Sequence, residues 1–586
     1  MFDTFTQNYT PLGNEYVSAI FAAVPVLVLL LMLGVFRTAA HWAALGGLVA
    51  SLLVAVLFYG MPAGLALSAG LNGAVFGLWP IVWIVINALF LHNLTVETGR
   101  FDIVRESLAS LTTDRRIQAL IIAFAFGALL EGIAGFGAPV AITAAIMASL
   151  GFNPLYAASI ALLANTAPVA FGSLGVPVTT LGGLVAPIVG NEDTGAVTNA
   201  LSAMIGRQLP LFSIIIPGFM IYVMSGWRGM VQVLPAVLTA GISFAVTQFV
   251  TANFLGPILV DVLSALVCLA ALVGLLRIWQ PATAWRFEEE SEEEGDRREA
   301  PAGERPATGP TSGFAAGGGA LGGSSFQAFL PYIILVVVVI IAKIDTISKS
   351  IPNWLNVTAL LQKATIPIEW PGLHNMVIRV PPIVPSETPY PAVYTWDILN
   401  AAGTVVLFAA IIAGFVMRAG PGTQLRVYGR TLRQLALAIL TIAMILALAY
   451  VMNYSGATST LGLAFAGTGL LFPFFSAFIG WLGVVLSGSD TSSNSLFGPM
   501  QTITAQQLGV EPALAGATNS SGGVMGKMIS PQNLTVGASA IDQVGREPDI
   551  FRMTLKWSLV LTVAMGILAM IQAYILPFII PPLGGG

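Results

Sequence analysis

The sequence predicts an all-α polytopic membrane protein of about 12 transmembrane helices, with two re-entrant hairpins in inverted repeats and broken helices at the membrane midplane. Three observations predict it. Hydrophobic residues make up 56% of the 586-residue chain and charged residues only 9%, against roughly 25% charged in an average soluble domain. Nearly uncharged runs of about 18 to 25 residues, the length a helix needs to cross the hydrocarbon, recur from end to end. Two further segments, 117–150 and 462–508, are too long for one crossing and are interrupted by Gly, Pro and small polar residues; they read as hairpins that enter and leave on the same side.

In chain order, spans are expected at 19–36, 42–60 and 78–96, followed by the first hairpin and an interrupted span at 155–189. Spans at 208–224, 229–250 and 257–276 complete an N-terminal half, 1–285. The segment 286–325 begins with an acidic run, continues through Pro and Ala and ends rich in Gly; it lacks the apolar residues to fold and reads as a disordered inner linker. The C-terminal half, 326–586, carries spans at 327–343, 397–417 and 434–452, the second hairpin, an interrupted span at 513–540 and a last one at 554–578. Between its first two spans, the loop 344–396 holds Trp354, Trp370 and Trp396 among many prolines, as expected of a partly ordered cap at the interface. The polar N-terminus leads into an apolar stretch too long for a signal peptide, without a small-residue cleavage site, so the first span is expected to be retained.

Basic residues orient the chain. Arg100, Arg105, Arg115 and Arg116, then Arg418, Arg426, Arg430 and Arg433, collect with most other Lys and Arg in loops on one side if both termini lie outside. The net charge of -4 and the lack of a basic face argue against nucleic acid as a partner. Cys268 is the single cysteine, and His41, His92 and His374 are scattered; neither a disulfide within the chain nor a metal site is expected, and no cofactor is implied. His92 reads as a packed histidine, and Arg207, near a span end, as a side chain that snorkels to the interface.

The two halves share a pattern. EGIAGFGAP (131–139), LGFNP (150–154) and NTAPVAFGSLGVPVTT (165–180) are matched by SGSDTSSN (487–494), LGVEP (508–512) and NSSGGVMGKMISPQNLT (519–535). At one constant shift Asn165, Gly172 and Pro177 fall on Asn519, Gly526 and Pro531. With the threading above, the first hairpin opens inward and the second outward. Such inverted repeats place paired backbone breaks at midplane, where helix N-termini present NH groups and positive dipole ends to an anion.

These strings resemble the lactate permease family, proton-coupled carriers of lactate and related 2-hydroxy monocarboxylates such as glycolate, over most of the chain outside the two long loops. The resemblance implies symport of a small monocarboxylate with protons. Through the larger ion transporter superfamily it also implies a hairpin-plus-broken-helix plan, elevator-like alternating access and frequent homodimers.

Bringing one negative charge in against an inside-negative potential costs about 2.3 kcal/mol per 100 mV, and one co-transported proton removes that cost. The best-placed proton carriers are Glu131 and Asp490, each at the break of a hairpin. Glu131 is favoured because Gly132, Ile133, Ala134 and Phe136 offer it few polar partners, whereas Asp490 has Ser489, Thr491, Ser492 and Ser493. Either acid could instead cap a half-helix or pair with Lys527. Lys527, the one basic residue expected deep in the membrane, could attract the substrate carboxylate or neutralise Asp490. Substrate-binding candidates are Asn165, Thr166, Thr179, Ser489, Thr491, Asn519, Ser520, Lys527 and Asn533, whose hydroxyls, amides and ammonium suit a carboxylate and a 2-hydroxyl; such residues also join membrane helices. Gly135, Gly137, Gly172, Gly488 and Gly526 are expected to shape the site. Sodium coupling or antiport would suit the same polar breaks. An intramembrane enzyme is disfavoured, since neither an HExxH sequence nor a convincing Ser/His or Ser/Lys dyad is found, and converging hairpins suit an occluded site better than a pore.

Overall fold

The computed structural model describes residues 4–36, 38–135, 137–287, 323–342, 361 and 363–583. The acidic stretch of the expected linker, the first part of the cap with Trp354, and also Arg37 and Phe136 lie outside the described residues.

The apolar runs form helices. α1 (Glu15–Gly34), α2 (Ala40–Leu57) and α3 (Ala63–Phe76) open the chain, and α3 passes through a π-helical turn, Gly77–Val82, into α4 (Trp83–Glu97). A short α5 (Arg100–Ala109) leads to α6 (Arg115–Ala119), which continues through Leu120–Phe126 into α7 (Gly127–Ile133). Then come α8 (Ala138–Ser149), α9 (Pro154–Asn165), α10 (Gly172–Val189), α11 (Thr194–Gln232), α12 (Leu234–Phe254) and α13 (Val260–Ile278). The second half comprises α14 (Gly323–Ala342), α15 (Ala402–Val416), α16 (Pro421–Ser455), α17 (Ala457–Ala466), α18 (Phe472–Ser487), α19 (Asp490–Gln507), α20 (Pro512–Gly526), α21 (Pro531–Ala540) and α22 (Glu547–Tyr574).

Among the described residues, 11 helices are long and apolar enough to cross a membrane, so the chain is a multi-pass, all-α membrane protein. The expected dozen differs for local reasons. The run 397–417 yields a shorter helix, the run 327–343 lies in α14 but is described only as far as Ala342, and the run 513–540 is split before Pro531, whose ring occupies the first helical position of α21; Arg115–Ile133 and Gly469–Ser487, arms of the expected hairpins, are counted among the 11 instead. Conversely α3 and α17 form where loops were expected, from Gly- and Ala-rich stretches whose helices pack on larger neighbours. The backbone carbonyl of Leu446 lies against Gly73 of α3, an approach that only a glycine allows.

The cap is a small β structure. β2 (Thr365–Glu369) pairs antiparallel with β5 (Val393–Asp397), and β3 (Val377–Arg379) lies between β1 (Phe5–Thr6) and β4 (Thr388–Pro389). The N-terminus is thus stitched to the loop between α14 and α15.

Burial separates two classes of helix. Glu15–Leu33 and Ala40–Leu57 are each 33% buried, as suits helices with one face in lipid, whereas Arg115–Ile133 is 100% and Val169–Val189 94% buried. The first hairpin segment and the first interrupted span are therefore interior, whereas Gly469–Ser487 of the second hairpin segment is only 39% buried. α10 packs along α19, α18 along α20, and α8 along α9 and α21, which interleaves the two halves around the breaks.

Candidate functional site

Three of four backbone breaks line one cavity, and the first, between α7 and α8, follows its liner Glu131. Between α7 and α8, Gly135 and Gly137 take left-handed φ values of 55° and 83°, which glycine adopts without a Cβ clash. Between α9 and α10 the chain leaves the helix after Asn165, and Ser173, Leu174 and Gly175 are all left-handed, with φ of 48°, 60° and 77°. Two of these are not glycines, so this turn is strained and is held by its surroundings. In the second half, Gly488 (φ 71°) ends α18 and Ser489 caps α19 by accepting from Ser492 N. The fourth break, Lys527–Ser530, ends with Ser530 accepting from Asn533 N at the start of α21.

Glu131, Gly172 and Ser173 from the first half, and Gly488, Ser489, Asp490, Thr491, Lys527, Gln532 and Asn533 from the second, line this cavity, with Val169, Val176 and Pro177 as its apolar wall. Its volume is about 60 Å³, and one water needs about 10 to 15 Å³ on this measure, so it holds roughly four or five water-sized bodies.

The two acids are held differently. Lys527 Nζ lies 2.9 Å from Glu131 Oε1, and Asn165 donates to Glu131 Oε2 at 2.8 Å. Asp490 Oδ2 accepts from Ser520 at 2.6 Å and from Asn494 at 3.3 Å, while its Oδ1 has no hydrogen-bond partner. All four of Glu131, Asp490, Lys527 and Asn165 are more than nine-tenths buried.

This arrangement decides one alternative and corrects one expectation. Of the two acids that could pair with Lys527, it is Glu131 that does so, because the fourth break reaches across to α7 from the other half. Glu131 is not poor in polar partners: its own sequence neighbours are apolar, but Asn165 and Lys527 arrive from elsewhere in the fold. The remaining candidates divide. Ser489, Thr491, Lys527 and Asn533 line the cavity, while Asn165 and Ser520 touch its acids. Asn519 sits a step behind, donating to Asn494 at 2.8 Å and accepting from Gln501 at 2.6 Å. Thr166 and Thr179 bond back to Leu162 O and Gly175 O within their own chain turns and are not among the liners.

The glycines act by absence of a side chain. A Cβ on Gly172 would stand 2.6 Å from Glu131 Oε1, one on Gly488 2.6 Å from Gln532 Oε1, and one on Gly526 2.6 Å from Trp481 O. Gly135 lies against Ser173, joining the first two breaks, and Gly137 lies near Asn533 and Val536, joining the first break to the fourth. Asn533 in turn donates to Lys527 O at 3.2 Å and Gly488 O at 3.4 Å.

Sequence reasoning missed Ser173, Gln532 and Asn494, and also Asp261 at the start of α13. Asp261 is buried, both its carboxyl oxygens lack partners, and a Cβ on Gly132 would meet its Cβ at 2.8 Å. An acid inside an apolar span was a signal available for Asp261; Ser173 and Gln532 carried none beyond their place near a break. His92 is buried with an edge contact to Phe101 at 5.4 Å, as expected of a packed histidine. Arg207 is half-buried and donates to Asn253 at 2.9 Å and to Ile579 O.

Known proteins resemble this chain along its whole length. It is 44% identical to the glycolate permease GlcA of Escherichia coli over 98% of both chains, and 44% identical to an L-lactate permease of Bacillus subtilis over 98% of this chain and 100% of that one. An L-lactate permease of Escherichia coli is 42% identical over 98% of this chain and 99% of its own. Among solved structures, the chain is similar to the Alcanivorax borkumensis YdaH transporter (TM-score 0.39, 14% identity, 88% of each chain), a likeness too loose to carry residue-level conclusions. The family model described as L-lactate permease matches residues 18–576, and with these relatives it establishes that the chain belongs to the L-lactate permease family.

Proposed function

We propose that this protein carries lactate and related 2-hydroxy monocarboxylates such as glycolate across the cell membrane by proton symport, with the cavity that three of the breaks line as its binding site. One observation carries the reading: Lys527 is the sole cation lining the cavity among the described residues, and it is engaged by Glu131 at 2.9 Å. An incoming carboxylate competes with Glu131 for Lys527. Once displaced, Glu131 is a buried carboxylate without its counter-ion, which costs several kcal/mol. It then takes up a proton, so that the loaded site carries substrate and proton together and the transmembrane potential no longer opposes entry. Asn165 holds the other oxygen of Glu131 in either state. The hydroxyls of Ser489, Thr491 and Ser173 and the amide of Gln532 are donors for the remaining carboxylate oxygen and the 2-hydroxyl.

The same reading takes the hairpins as re-entrant, the two halves as inverted repeats with both termini outside, and the movement as elevator-like in a homodimer. What supports it is the interleaving of four breaks, three of them lining one small cavity. Uptake of labelled lactate into proteoliposomes under separately imposed pH, sodium and voltage gradients tests it. Accumulation driven by an inward proton gradient, with glycolate competing, is expected. A requirement for sodium at fixed pH would replace the proton in this scheme.

A further inference from the structure

A second cavity lies where the β cap meets the helix ends. Arg379 of β3 lines it with Gln7, Asn453, Thr458 and Ser459, and none of the described acids is among its liners. Arg379 is 7% exposed, and its Nε has no hydrogen-bond partner. Its Nη1 donates to Pro187 O at 2.8 Å near the C-terminal end of α10, and its guanidinium carbon stands 4.6 Å from the centre of the Tyr390 ring. Contacts with a helix end and an aromatic face offset only part of the desolvation of a guanidinium. A buried cation without an anionic partner among the described residues, at a cavity lined by four neutral polar side chains and by Ile188, Ile383, Ile503 and Tyr390, is a receptor for an anion.

The position of the cavity gives the anion a destination. α10 begins at the central cavity with Val176 and Pro177 and reaches this one at Ile188; α19 begins there with Asp490 and Thr491 and reaches this one at Ile503. At about 1.5 Å per residue the two cavities are roughly 17 Å apart along two helices that pack together. We propose that the Arg379 cavity is a second anion site, which takes one carboxylate oxygen of a small organic acid on its way to or from the central cavity. This rests on the monocarboxylate reading above. The volume, about 10 Å³, suits a single oxygen-sized group, so one carboxylate oxygen enters past the partly exposed Ile383, the least buried apolar liner.

Initial rates of labelled lactate uptake in proteoliposomes test this. Arg379→Gln should raise KM by about tenfold and leave Vmax within about twofold, as expected when a charge that captures substrate is lost away from the transport step. Arg379→Lys, which keeps the charge, should recover most of the loss. Ser459→Asp places a carboxylate beside Arg379 and should raise KM by a similar factor in a folded protein. An unchanged KM in Arg379→Gln, or a fall in Vmax and thermal midpoint alone, would overturn the site and leave Arg379 a structural cap. If Arg379→Gln does not fold, an unchanged KM in Ser459→Asp overturns it equally. Failure of the wild-type protein to take up lactate would instead remove the monocarboxylate reading.

Discussion

Glu131 and Asp490 each lie beside a backbone break, one near the end of α7 and the other at the start of α19, yet their surroundings differ in kind. Glu131 has a lysine and an amide; Asp490 has a hydroxyl and an amide and keeps one oxygen without a partner. The difference comes from the fourth break, which carries Lys527 where the matched position in the first half, Ser173, is neutral. Two similarly interrupted segments thus hold an asymmetric charge pattern. In a binding site for an anion, the acid that shares the cation is the one whose state substrate must alter, and the acid without a cation is a wall that substrate can leave undisturbed.

The largest effect that should follow from this contrast is that of Lys527→Met. Removing one member of a buried pair costs about 3 to 5 kcal/mol, so uptake should vanish and the thermal midpoint in detergent should fall. Adding Glu131→Gln to that variant should restore most of the midpoint without restoring uptake. If Lys527→Met unfolded no more easily than Asp490→Asn, the pairing would not be the feature that distinguishes the two acids. A smaller effect is expected for Gly172→Ala. Its methyl group would meet Glu131 Oε1 at 2.6 Å and push the carboxylate off Lys527, and uptake should drop by roughly tenfold with little change in fold. Uptake at the wild-type rate would show that the Glu131 geometry tolerates displacement. The smallest effect belongs to Asp490→Asn. Its amide oxygen can still accept from Ser520, so Vmax should change by only about two- to fivefold and the number of protons moved per lactate should stay as in the wild type. A changed proton ratio in that variant would exchange the roles of the two acids.

Much of this frame was legible in the chain itself. Long apolar runs announce their helices, and the motifs around Glu131, Asn165, Asp490 and Lys527 announce their breaks, because Gly, Pro and small polar residues interrupt a membrane helix for local reasons. Long-range pairing was not legible. Nothing near Lys527 in sequence says that it will meet Glu131, since that contact depends on how two halves interleave. For the same reason Glu131, flanked by apolar neighbours, looked solitary. Asp261 shows the converse failure: its buried place was visible in its span, but its position beside Gly132 of α7 arises only from packing. The β cap was hidden too, as its strands are short and β1 joins β3 from the far end of the chain.

The central claim is that substrate takes Lys527 from Glu131 and that Glu131 answers by binding a proton. It is tested most directly by adding lactate to the purified protein in weakly buffered detergent solution and following pH with an indicator. The account predicts uptake of about one proton per lactate bound near neutral pH, abolished in Glu131→Gln while lactate still binds. Binding without proton uptake in the wild-type protein, or the same uptake in Glu131→Gln, would contradict it.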